Sequence, residues 1–509
     1  MWENLLLGFQ TVLNFQTILF ILIGVTIGIV MGAIPGLTGA MAIALLIPFT
    51  FTMETVNSIT LLLAIYCGGI YGGSISAILI RAPGSPASAA TVFDGYEMAK
   101  QGRALKALRM AVDSSVIGNL ISVLLLIFIA PQIANLALRL GPTEIASLII
   151  FSLTIIAYVS GRSILKGLVS AGIGLFACTV GIDPIAATPR LTFGITELER
   201  GIALIPMSIG LFAVSEVFVQ GEKIFKERLS GIKATPVLPK AENPDENKLT
   251  VKDLWSSMRT IVQSGLIGSF LGAIPGVGSP IASFMGYGLG KRFSKHPEKY
   301  GTGFIEGVAA SEAANNGVVG ASLIPLLTLG IPGDLPTAIL LGAFLLHGLI
   351  PGPLLFKEHP REVYSLFAAF LLSVVALYFV ARQVIKVGHL LTSIPKAVLF
   401  PVVLVFCFIG SYAINSSMLD VWVMLIFGLL GYFLEKYGFA LAPLLIAFLL
   451  GPILETALRQ SVILSGGSLT EFFTSPVSLV LLILTIIVII QVSYQGFKGM
   501  KRGKGHGRK

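Results

Sequence analysis

Charged residues are scarce in this chain. Asp, Glu, Lys and Arg make up 12% of its 509 residues, hydrophobic residues make up 55%, and the mean hydropathy is +0.89. Soluble globular domains carry roughly 25% charged residues. The composition therefore excludes an ordinary soluble domain and predicts an all-α polytopic integral membrane protein.

Residues that carry cofactor or metal chemistry are also few. The three cysteines, Cys67, Cys178 and Cys407, lie far apart in apolar runs without a CxxC spacing, and the five histidines form no HExxH-like pattern. No Gly-x-Ser-x-Gly motif is present either. We expect that the protein is not an enzyme, needs no cofactor and has no transition-metal site, and that a metal ion, if one is bound, is Na⁺.

Lysine and arginine are absent before Arg81, so we expect no secretory signal peptide and an N-terminus on the outer side. The basic residues gather in the loops 94–110 and 291–303 and in the polar stretch 219–260, whereas the loops 51–58 and 343–360 carry almost none. The positive-inside rule then predicts that the two halves have opposite orientations. Membrane orientation and contact with anionic lipid also explain the net charge of +9, so we expect no nucleic acid as a partner.

A proline-containing stretch occurs twice. Gly-Ile-Val-Met-Gly-Ala-Ile-Pro-Gly at 28–36 returns as Gly-Ser-Phe-Leu-Gly-Ala-Ile-Pro-Gly at 268–276, and Arg81-Ala-Pro-Gly-Ser-Pro is answered by Gly-Ile-Pro-Gly-Asp-Leu-Pro from Gly330. The duplication predicts two inverted-topology repeats with discontinuous or re-entrant helices, plus an extra C-terminal transmembrane helix. The predicted parts are a first membrane repeat (1–218), a polar cytoplasmic linker (219–260), a second membrane repeat (261–460), an additional C-terminal transmembrane segment (461–497) and a basic cytoplasmic tail (498–509).

Apolar segments long enough to cross a bilayer, about 20 residues each, recur along the whole chain. Some of them are expected to dip into the membrane rather than cross it. The predicted segments are 17–34, 59–80, 112–137, 143–160, 164–180, 201–219, 261–274, 304–329, 335–356, 362–381, 395–411, 418–434, 438–454 and 474–494.

The four Pro-Gly breaks predict the substrate site. Irregular backbone leaves N–H and C=O groups unpaired, which lipid cannot satisfy, so such breaks survive only against protein or a watery cavity. The half-helix N-terminus after a break attracts anions, and the carbonyls before it suit a cation. A kink in a spanning helix is the alternative for a single break. The predicted substrate-binding residues are Gly36, Thr38, Gly39, Arg81, Pro83, Gly84, Ser85, Gly276, Gly278, Ser279, Pro332, Gly333 and Asp334.

Two charged residues at the breaks have several interpretations. Arg81 either faces the cavity, where its guanidinium holds a substrate carboxylate, or extends toward the loop that begins near Asp94. Asp334 either pairs with Arg81, binds a cation or a substrate amine, or caps the following helix.

Polar side chains inside an apolar segment predict a cation site. Glu312, Asn315 and Asn316 follow one another closely, and polar groups at membrane depth are costly to leave unpaired. The predicted cation-binding residues are Asn315, Asn316, Pro35 and Pro275, with hydrogen bonding between helices as the alternative for the asparagines. Small residues at four-residue spacing, Gly24, Gly28 and Gly32 in one half and Ser264, Gly268 and Gly272 in the other, favour close helix packing over substrate contact.

With these motifs the sequence resembles the large membrane subunit of the tripartite tricarboxylate transporter family, the TctA type. The resemblance also rests on Tyr71-Gly-Gly-Ser-Ile-Ser-Ala-Ile-Leu, Asp94-Gly-Tyr-Glu-Met-Ala-Lys-Gln-Gly-Arg, Glu312-Ala-Ala-Asn-Asn and Leu323-Ile-Pro-Leu-Leu-Thr-Leu-Gly-Ile-Pro-Gly. It implies a multi-pass protein of the bacterial inner membrane that works with a small membrane subunit and a periplasmic solute-binding protein.

The function that the resemblance implies is import of a small di- or tricarboxylate-like solute by cation-coupled symport, with Na⁺ or H⁺ as the coupling ion. A channel-like or passive scaffold subunit is the rival interpretation, in which the breaks line a pore. The number of subunits is not fixed by the sequence, and a homo-oligomer stays open.

Overall fold

The computed structural model of the chain describes residues 2–159, 163–230, 246–392, 394 and 396–503. The central part of the predicted linker, 231–245, and the end of the predicted tail, 504–509, lie outside the described residues. The described chain is almost entirely helical, as the composition predicts.

The first half contains ten helices. In chain order they are α1 (Trp2–Val12), α2 (Phe15–Ala33), α3 (Gly39–Thr50), α4 (Thr55–Ile80), α5 (Val92–Lys100), α6 (Ala104–Ala137), α7 (Pro142–Val159), α8 (Ile164–Ala177), α9 (Leu204–Ser208) and α10 (Ser215–Ser230). A π-helical stretch, Ile209–Val214, joins α9 to α10. Between α8 and α9, strands β1 (Gly181–Ile182) and β2 (Pro189–Arg190) form an antiparallel hairpin in which Gly181 pairs with Arg190.

The second half and the C-terminal segment contain the remaining helices. They are α11 (Val251–Gly272), α12 (Gly278–Phe293), α13 (Ile305–Ala321), α14 (Leu323–Leu329), α15 (Leu335–Leu346), α16 (Leu355–Glu358), α17 (Pro360–Val384), α18 (Gly388–Thr392), α19 (Lys396–Asn415), α20 (Met418–Lys436), α21 (Leu441–Leu464), α22 (Glu471–Thr474) and α23 (Pro476–Gly503). Short 3₁₀ turns occur at Pro86–Ser88, Thr196–Arg200, Pro297–Lys299 and Ile385–Val387.

Among the described residues, nine helices are long and apolar enough to cross a membrane. They are Phe15–Ala33, Thr55–Ile80, Ala104–Ala137, Pro142–Val159, Leu204–Lys226, Pro360–Val387, Val398–Asn415, Met418–Lys436 and Leu441–Leu464. The helices Gly39–Thr50, Ile164–Ala177, Leu335–Leu346 and Pro476–Gln491 are apolar but shorter.

Five of the fourteen predicted segments have no counterpart among these nine helices of the described residues, namely 164–180, 261–274, 304–329, 335–356 and 474–494. The segment 304–329 is interrupted at Ser322, between α13 and α14. Pro325 accounts for the interruption, because it has no N–H to donate to the carbonyl four residues earlier. The segment 335–356 is a helix only as far as Leu346, because Gly348 adopts a left-handed conformation with φ of 74° and a loop follows.

The predicted linker 219–260 is also more helical at its ends than its polar composition suggests. Helix α10 continues to Ser230, and α11 begins at Val251. Thr250 and Asp253 form a reciprocal capping box at the start of α11, which explains why that helix begins inside the polar stretch.

The small residues at four-residue spacing bring two pairs of helices into close contact. A Cβ on Gly28 would lie 2.3 Å from the carbonyl oxygen of Ile65, so α2 lies directly against α4. A Cβ on Gly268 would lie 2.1 Å from the carbonyl oxygen of Ala314, so α11 lies equally close to α13. Both stripes therefore serve helix packing, which is the function that the sequence favours for them.

The loops that are rich in basic residues meet each other. Gln101 Nε2 donates to the carbonyl of Thr302 at 2.8 Å, and an Arg103 guanidinium nitrogen donates to the carbonyl of Gly303 at 3.1 Å. Elsewhere, at the ends of α3 and α15, Thr50 Oγ1 and His347 Nε2 lie 3.3 Å apart. The first two contacts join two loops that are rich in basic residues, and the third joins two regions that have few. Each contact links the first half to the second half.

Candidate functional site

All four Pro-Gly breaks contribute to one cavity of about 560 Å³. Most of the cavity wall comes from the N-terminal ends of α3, α12 and α15 and from the 3₁₀ turn at Pro86. The start of α10, the end of α20 and the start of α21 also line it. The sequence-predicted residues that line it are Gly36, Thr38 and Gly39 at the first break, Ser85 at the second, Gly276, Gly278 and Ser279 at the third, and Asp334 at the fourth.

Within each half, the two breaks abut each other. In the first half, a Cβ on Gly84 would lie only 1.9 Å from the carbonyl oxygen of Gly32, at the end of α2. In the second half, the Gly276 N–H donates to the carbonyl of Gly333 at 2.8 Å, and a Cβ on Gly333 would lie 2.7 Å from the carbonyl oxygen of Gly272. Gly84 and Gly333, the glycines of the second break in each half, are thus required, because a side chain there would prevent the close approach of the two backbone segments.

The first and third breaks turn the chain into a new helix. Gly36 and Gly278 have φ angles of 96° and 64°, which a residue with a side chain rarely adopts. Thr38 then caps α3, since its Oγ1 accepts from the Met41 N–H at 3.2 Å. The first helical turn after such a break has N–H groups without an intrahelical partner.

The side chains of Ser279 and Ser85 do not cap helices. Val277 precedes α12 and makes no side-chain cap, while Ser279 lies in the first turn of that helix. The Ser279 hydroxyl is buried, with 3% of the residue exposed, and has no hydrogen-bond partner among the described residues. The Ser85 hydroxyl is likewise buried and unpartnered there. Both hydroxyls are free to bind a ligand in the cavity.

Asp334 caps α15. Its Oδ1 accepts from the Thr337 N–H at 3.0 Å and from the Thr337 hydroxyl at 2.8 Å, and the Thr337 hydroxyl also receives the Asp334 N–H. The Tyr66 hydroxyl of α4 donates to the other carboxylate oxygen. Helix capping is therefore the use of Asp334 that the geometry supports, and a helix N-terminus stabilises its negative charge.

The charged residues of the cavity wall are all acidic. They are Asp334, Glu216 on α10 and Glu435 near the end of α20, and none of the described lining residues is Lys, Arg or His. An anion that enters this cavity meets N–H groups and hydroxyls rather than basic side chains. Glu216 was missed by the sequence analysis, although a carboxylate within the apolar segment 201–219 is a signal of function in a membrane protein.

Arg81 lies outside the cavity. It ends α4 in a left-handed conformation with φ of 57°, is exposed, and places its guanidinium carbon 5.8 Å from the centroid of the Tyr96 ring. The backbone turn at this residue directs its side chain away from the break that follows. The hypothetical pairing of Arg81 with Asp334 is wrong, because Asp334 bonds Tyr66 and Thr337 instead.

The other predicted residues at the breaks are neighbours of lining residues in the sequence but do not line the cavity themselves. Pro83 and Gly84 precede Ser85, Pro332 and Gly333 precede Asp334, and the prolines Pro35 and Pro275 precede the lining glycines Gly36 and Gly276, but none of these six lines the cavity. These residues act on the backbone: the prolines interrupt the helices, and Gly84 and Gly333 allow two backbone segments to approach closely.

The two adjacent asparagines have different surroundings. Asn316 connects helices, since its amide nitrogen donates to Ser115 Oγ at 2.8 Å and its oxygen accepts from Asn119 Nδ2 at 2.9 Å. Asn315 is fully buried, and neither amide atom has a hydrogen-bond partner among the described residues. Neither asparagine lines the cavity. The interhelical alternative thus describes Asn316, whereas Asn315 remains free to bind a ligand.

Comparison with known proteins defines the family. A model of the tripartite tricarboxylate transporter TctA family matches residues 18–446. The chain belongs to this family. As a TctA-family protein with many apolar helices, it is a multi-pass membrane protein of a transporter.

Two relatives from Agrobacterium vitis are similar to this TctA-family chain. The uncharacterized 52.8 kDa protein in the TAR-I ttuC' 3' region is 39% identical over 481 residues, which cover 94% of this chain and 93% of that protein. The uncharacterized protein in the TAR-II ttuC' 3' region is 41% identical over 214 residues, which cover 42% of this chain and 88% of that protein. No solved structure matches the chain.

Proposed function

We propose that this protein is the large transmembrane subunit of a binding-protein-dependent secondary transporter that imports a small di- or tricarboxylate by cation-coupled symport. The convergence of four helix breaks on one cavity is the observation that carries the proposal. Broken helices in two matching halves typically form the substrate site of a secondary transporter. In this proposal the protein resides in the bacterial inner membrane, and a small membrane subunit and a periplasmic binding protein complete the transporter.

The start of α12 is the proposed contact for a substrate carboxylate. Its first turn combines free N–H groups with the partial positive charge of a helix N-terminus. The unpartnered Ser279 hydroxyl adds a donor at the same place. Gly278, whose φ is 64°, allows the chain to enter the helix beside Asp334: a Cβ on this glycine would lie 3.5 Å from the Asp334 Cβ.

We further propose that the halves are inverted repeats that move relative to each other around this site. The contacts between the loops support the arrangement, because the basic loops of the two halves touch each other at Gln101 and Thr302. The loops with few basic residues approach each other at Thr50 and His347. In an inverted pair these are the loops that share a side of the membrane.

The channel-like or scaffold alternative makes a different prediction for transport. A channel passes solute down its gradient without a coupling ion, whereas a symporter accumulates solute only when an ion gradient is present. The acidic wall also favours coupling, because an anion that enters beside Glu216, Asp334 and Glu435 needs compensating positive charge.

The test begins with the cognate solute-binding protein. Its thermal stability is measured with citrate, succinate, malate and related carboxylates, and the carboxylate that stabilises it is then used as the labelled substrate. Proteoliposomes that contain both membrane subunits should accumulate this substrate only with the binding protein outside and with a Na⁺ or pH gradient. Uptake that needs neither, or binding-protein selectivity for uncharged solutes alone, would refute the proposal.

A further inference from the structure

Glu312 is a buried carboxylate held by hydroxyl groups. It is fully buried in the middle of α13. Its Oε1 accepts from Ser74 Oγ of α4 at 2.7 Å and from the Thr91 hydroxyl, and its Oε2 accepts from Ser115 Oγ of α6 at 3.1 Å. Three separate parts of the first half thus converge on one acidic side chain of the second half.

No positive charge among the described residues compensates this carboxylate. Across the part of the chain that the structure describes, Glu312 forms no ion pair with Lys, Arg or His. The nearby Asp113 of α6 already pairs with Arg382 at 3.0 Å. Glu312 also lies in a helix interior, so it lacks the helix N-terminus that stabilises Asp334. A buried, unpaired carboxylate is very unfavourable, so its charge has to be neutralised by a bound cation or a proton.

The surroundings contain the oxygen ligands that a hard cation requires. Besides the two carboxylate oxygens, the hydroxyls of Ser74, Thr91 and Ser115 lie at hydrogen-bonding distance. Ser311 Oγ lies 3.1 Å from the Thr91 hydroxyl. Asn315, one turn along the same helix, adds a buried amide without a partner in the described structure. Hard cations prefer such carboxylate, hydroxyl and amide oxygens.

We infer that Glu312, together with the hydroxyls of Ser74, Thr91 and Ser115, binds the coupling cation, either Na⁺ or H⁺. The inference rests on the proposed symport. Titratable groups on the elements packed around Glu312 include Tyr71 on α4, Asp94 on α5, Arg109 and Asp113 on α6, and Glu306 on α13 itself. Asp94 is already bonded by the N–H groups of Gly301, Gly303 and Phe304 and by the Tyr287 hydroxyl, and Glu306 accepts from Ser294 Oγ.

A short segment connects the cation site to the cavity. Ser85 lines the cavity, and Thr91, six residues later, donates to Glu312. The same segment is held at its start by α4, because the Gly84 N–H donates to the carbonyl of Gly73 at 3.2 Å, and the next residue, Ser74, also donates to Glu312. A cation at Glu312 therefore fixes the position of a cavity wall, which couples the cation to the substrate.

The first test replaces the carboxylate with a neutral group of the same shape. Glu312→Gln should abolish uphill accumulation of the labelled carboxylate in proteoliposomes. It should retain exchange of internal for external substrate, because exchange needs the cavity but no net movement of the cation. Retained exchange also shows that the variant is folded. Accumulation by Glu312→Gln with an unchanged Na⁺ and pH dependence would overturn the inference while leaving the proposed symport intact.

The second test uses two adjacent serines of α6. Ser115→Ala removes a hydroxyl that donates to Glu312, whereas Ser114→Ala removes a hydroxyl that is buried but has no partner in the described structure. Hydrogen bonds to charged groups are stronger than those between neutral groups, so Ser115→Ala should change the half-saturating cation concentration at least about tenfold. Ser114→Ala should leave that concentration unchanged.

Two titrations distinguish the cations. Uptake is measured against Na⁺ concentration at fixed pH and against pH without Na⁺, and the titration that shifts in Ser115→Ala identifies the bound ion. Equal behaviour of the Ser114 and Ser115 variants in both titrations would overturn the inference. Wild-type uptake that depends on neither ion would refute the proposed symport itself, and the inference with it.

Discussion

Replacing Ser279 by alanine separates substrate binding from protein stability. The Ser279 hydroxyl faces the cavity at the first turn of α12 and has no partner among the described residues. If it binds a substrate carboxylate, Ser279→Ala removes one hydrogen bond to a charged group, which is worth about 1.5–3 kcal/mol. The KM for uptake should then rise by about 10- to 150-fold, since each 1.4 kcal/mol corresponds to a factor of ten.

The same substitution should not destabilise the empty protein. Leaving a buried hydroxyl unsatisfied costs about 1–3 kcal/mol, so its removal leaves the unfolding temperature of the substrate-free protein unchanged or raises it. The stabilisation that added substrate gives should decrease, because ligand stabilisation depends on the ratio of ligand concentration to Kd. Differential scanning fluorimetry of the detergent-purified protein, with and without the carboxylate, measures both effects.

Ser283, one helical turn further along α12, is the matched control. Its hydroxyl is also buried without a partner in the described structure, but it does not line the cavity. Ser283→Ala should therefore share the effect on the empty protein and leave the KM unchanged. If both variants raise the KM equally, or neither does, the Ser279 hydroxyl does not bind the substrate and the assignment of the anion to this helix end is refuted.

Two further substitutions test helix packing and the β1–β2 loop. Gly268→Ala places a Cβ 2.1 Å from the carbonyl oxygen of Ala314 and should lower the free energy of unfolding by about 1–3 kcal/mol. Its unfolding temperature should therefore be lower than that of Gly288→Ala, whose Cβ meets nothing within 4 Å, and equal temperatures would contradict the packing argument. In the β1–β2 loop, two backbone N–H groups and Arg459 lower the pKa of Asp183 to about 2. Because the folded-state pKa is depressed, this stabilisation is complete above the ordinary pKa near 4 and is lost as the pH falls toward 2. The protection factors of the loop amides, which correct for the pH dependence of intrinsic exchange, should fall over that range in the wild type and should already be lowered at pH 7 in Asp183→Asn.

Features fixed by local chemistry were predictable from the sequence. Each Pro-Gly pair lies beside a helix end because proline has no N–H to donate, and at the first and third breaks Gly36 and Gly276 adopt φ angles of 96° and 81°. The four-residue spacing of the small residues places them on one helix face, and Gly28 and Gly268 do contact the carbonyls of a neighbouring helix. These features depend on a few consecutive residues or on helical periodicity alone.

Features that depend on side-chain direction were not predictable in this way. Arg81 occupies the position that Gly330 has in the second half, and both residues end their helix in a left-handed conformation. The sequence does not reveal that the Arg81 side chain is exposed beside Tyr96 rather than in the cavity. Asn315 and Asn316 are adjacent in sequence and point about 100° apart on a helix. Only the position of α6 determines that Asn316 bonds Asn119 and Ser115 while Asn315 is left without a partner.

Two deeply buried carboxylates, Asp334 at the fourth break and Glu312 on α13, are stabilised in different ways. Asp334 is stabilised inside the protein by the N-terminus of α15, the Thr337 N–H and two hydroxyl donors, so its charge needs no external ion. Glu312 has hydroxyl donors but neither a helix end nor a basic partner in the described structure. In this proposal Asp334 contributes its carboxylate to the cavity wall, and the carboxylate that a cation neutralises, Glu312, lies behind that wall.

This separation gives a physical reason for coupled transport. An anion in the cavity is repelled by Asp334, Glu216 and Glu435, and a further negative charge at Glu312 would increase that repulsion. Neutralisation of Glu312 by a cation lowers the repulsion and, through Thr91, fixes the segment that carries Ser85 into the cavity wall. In the proposed symport each ligand then raises the affinity for the other by the same factor, as thermodynamic linkage requires, so the cation and the anion would bind and be released together.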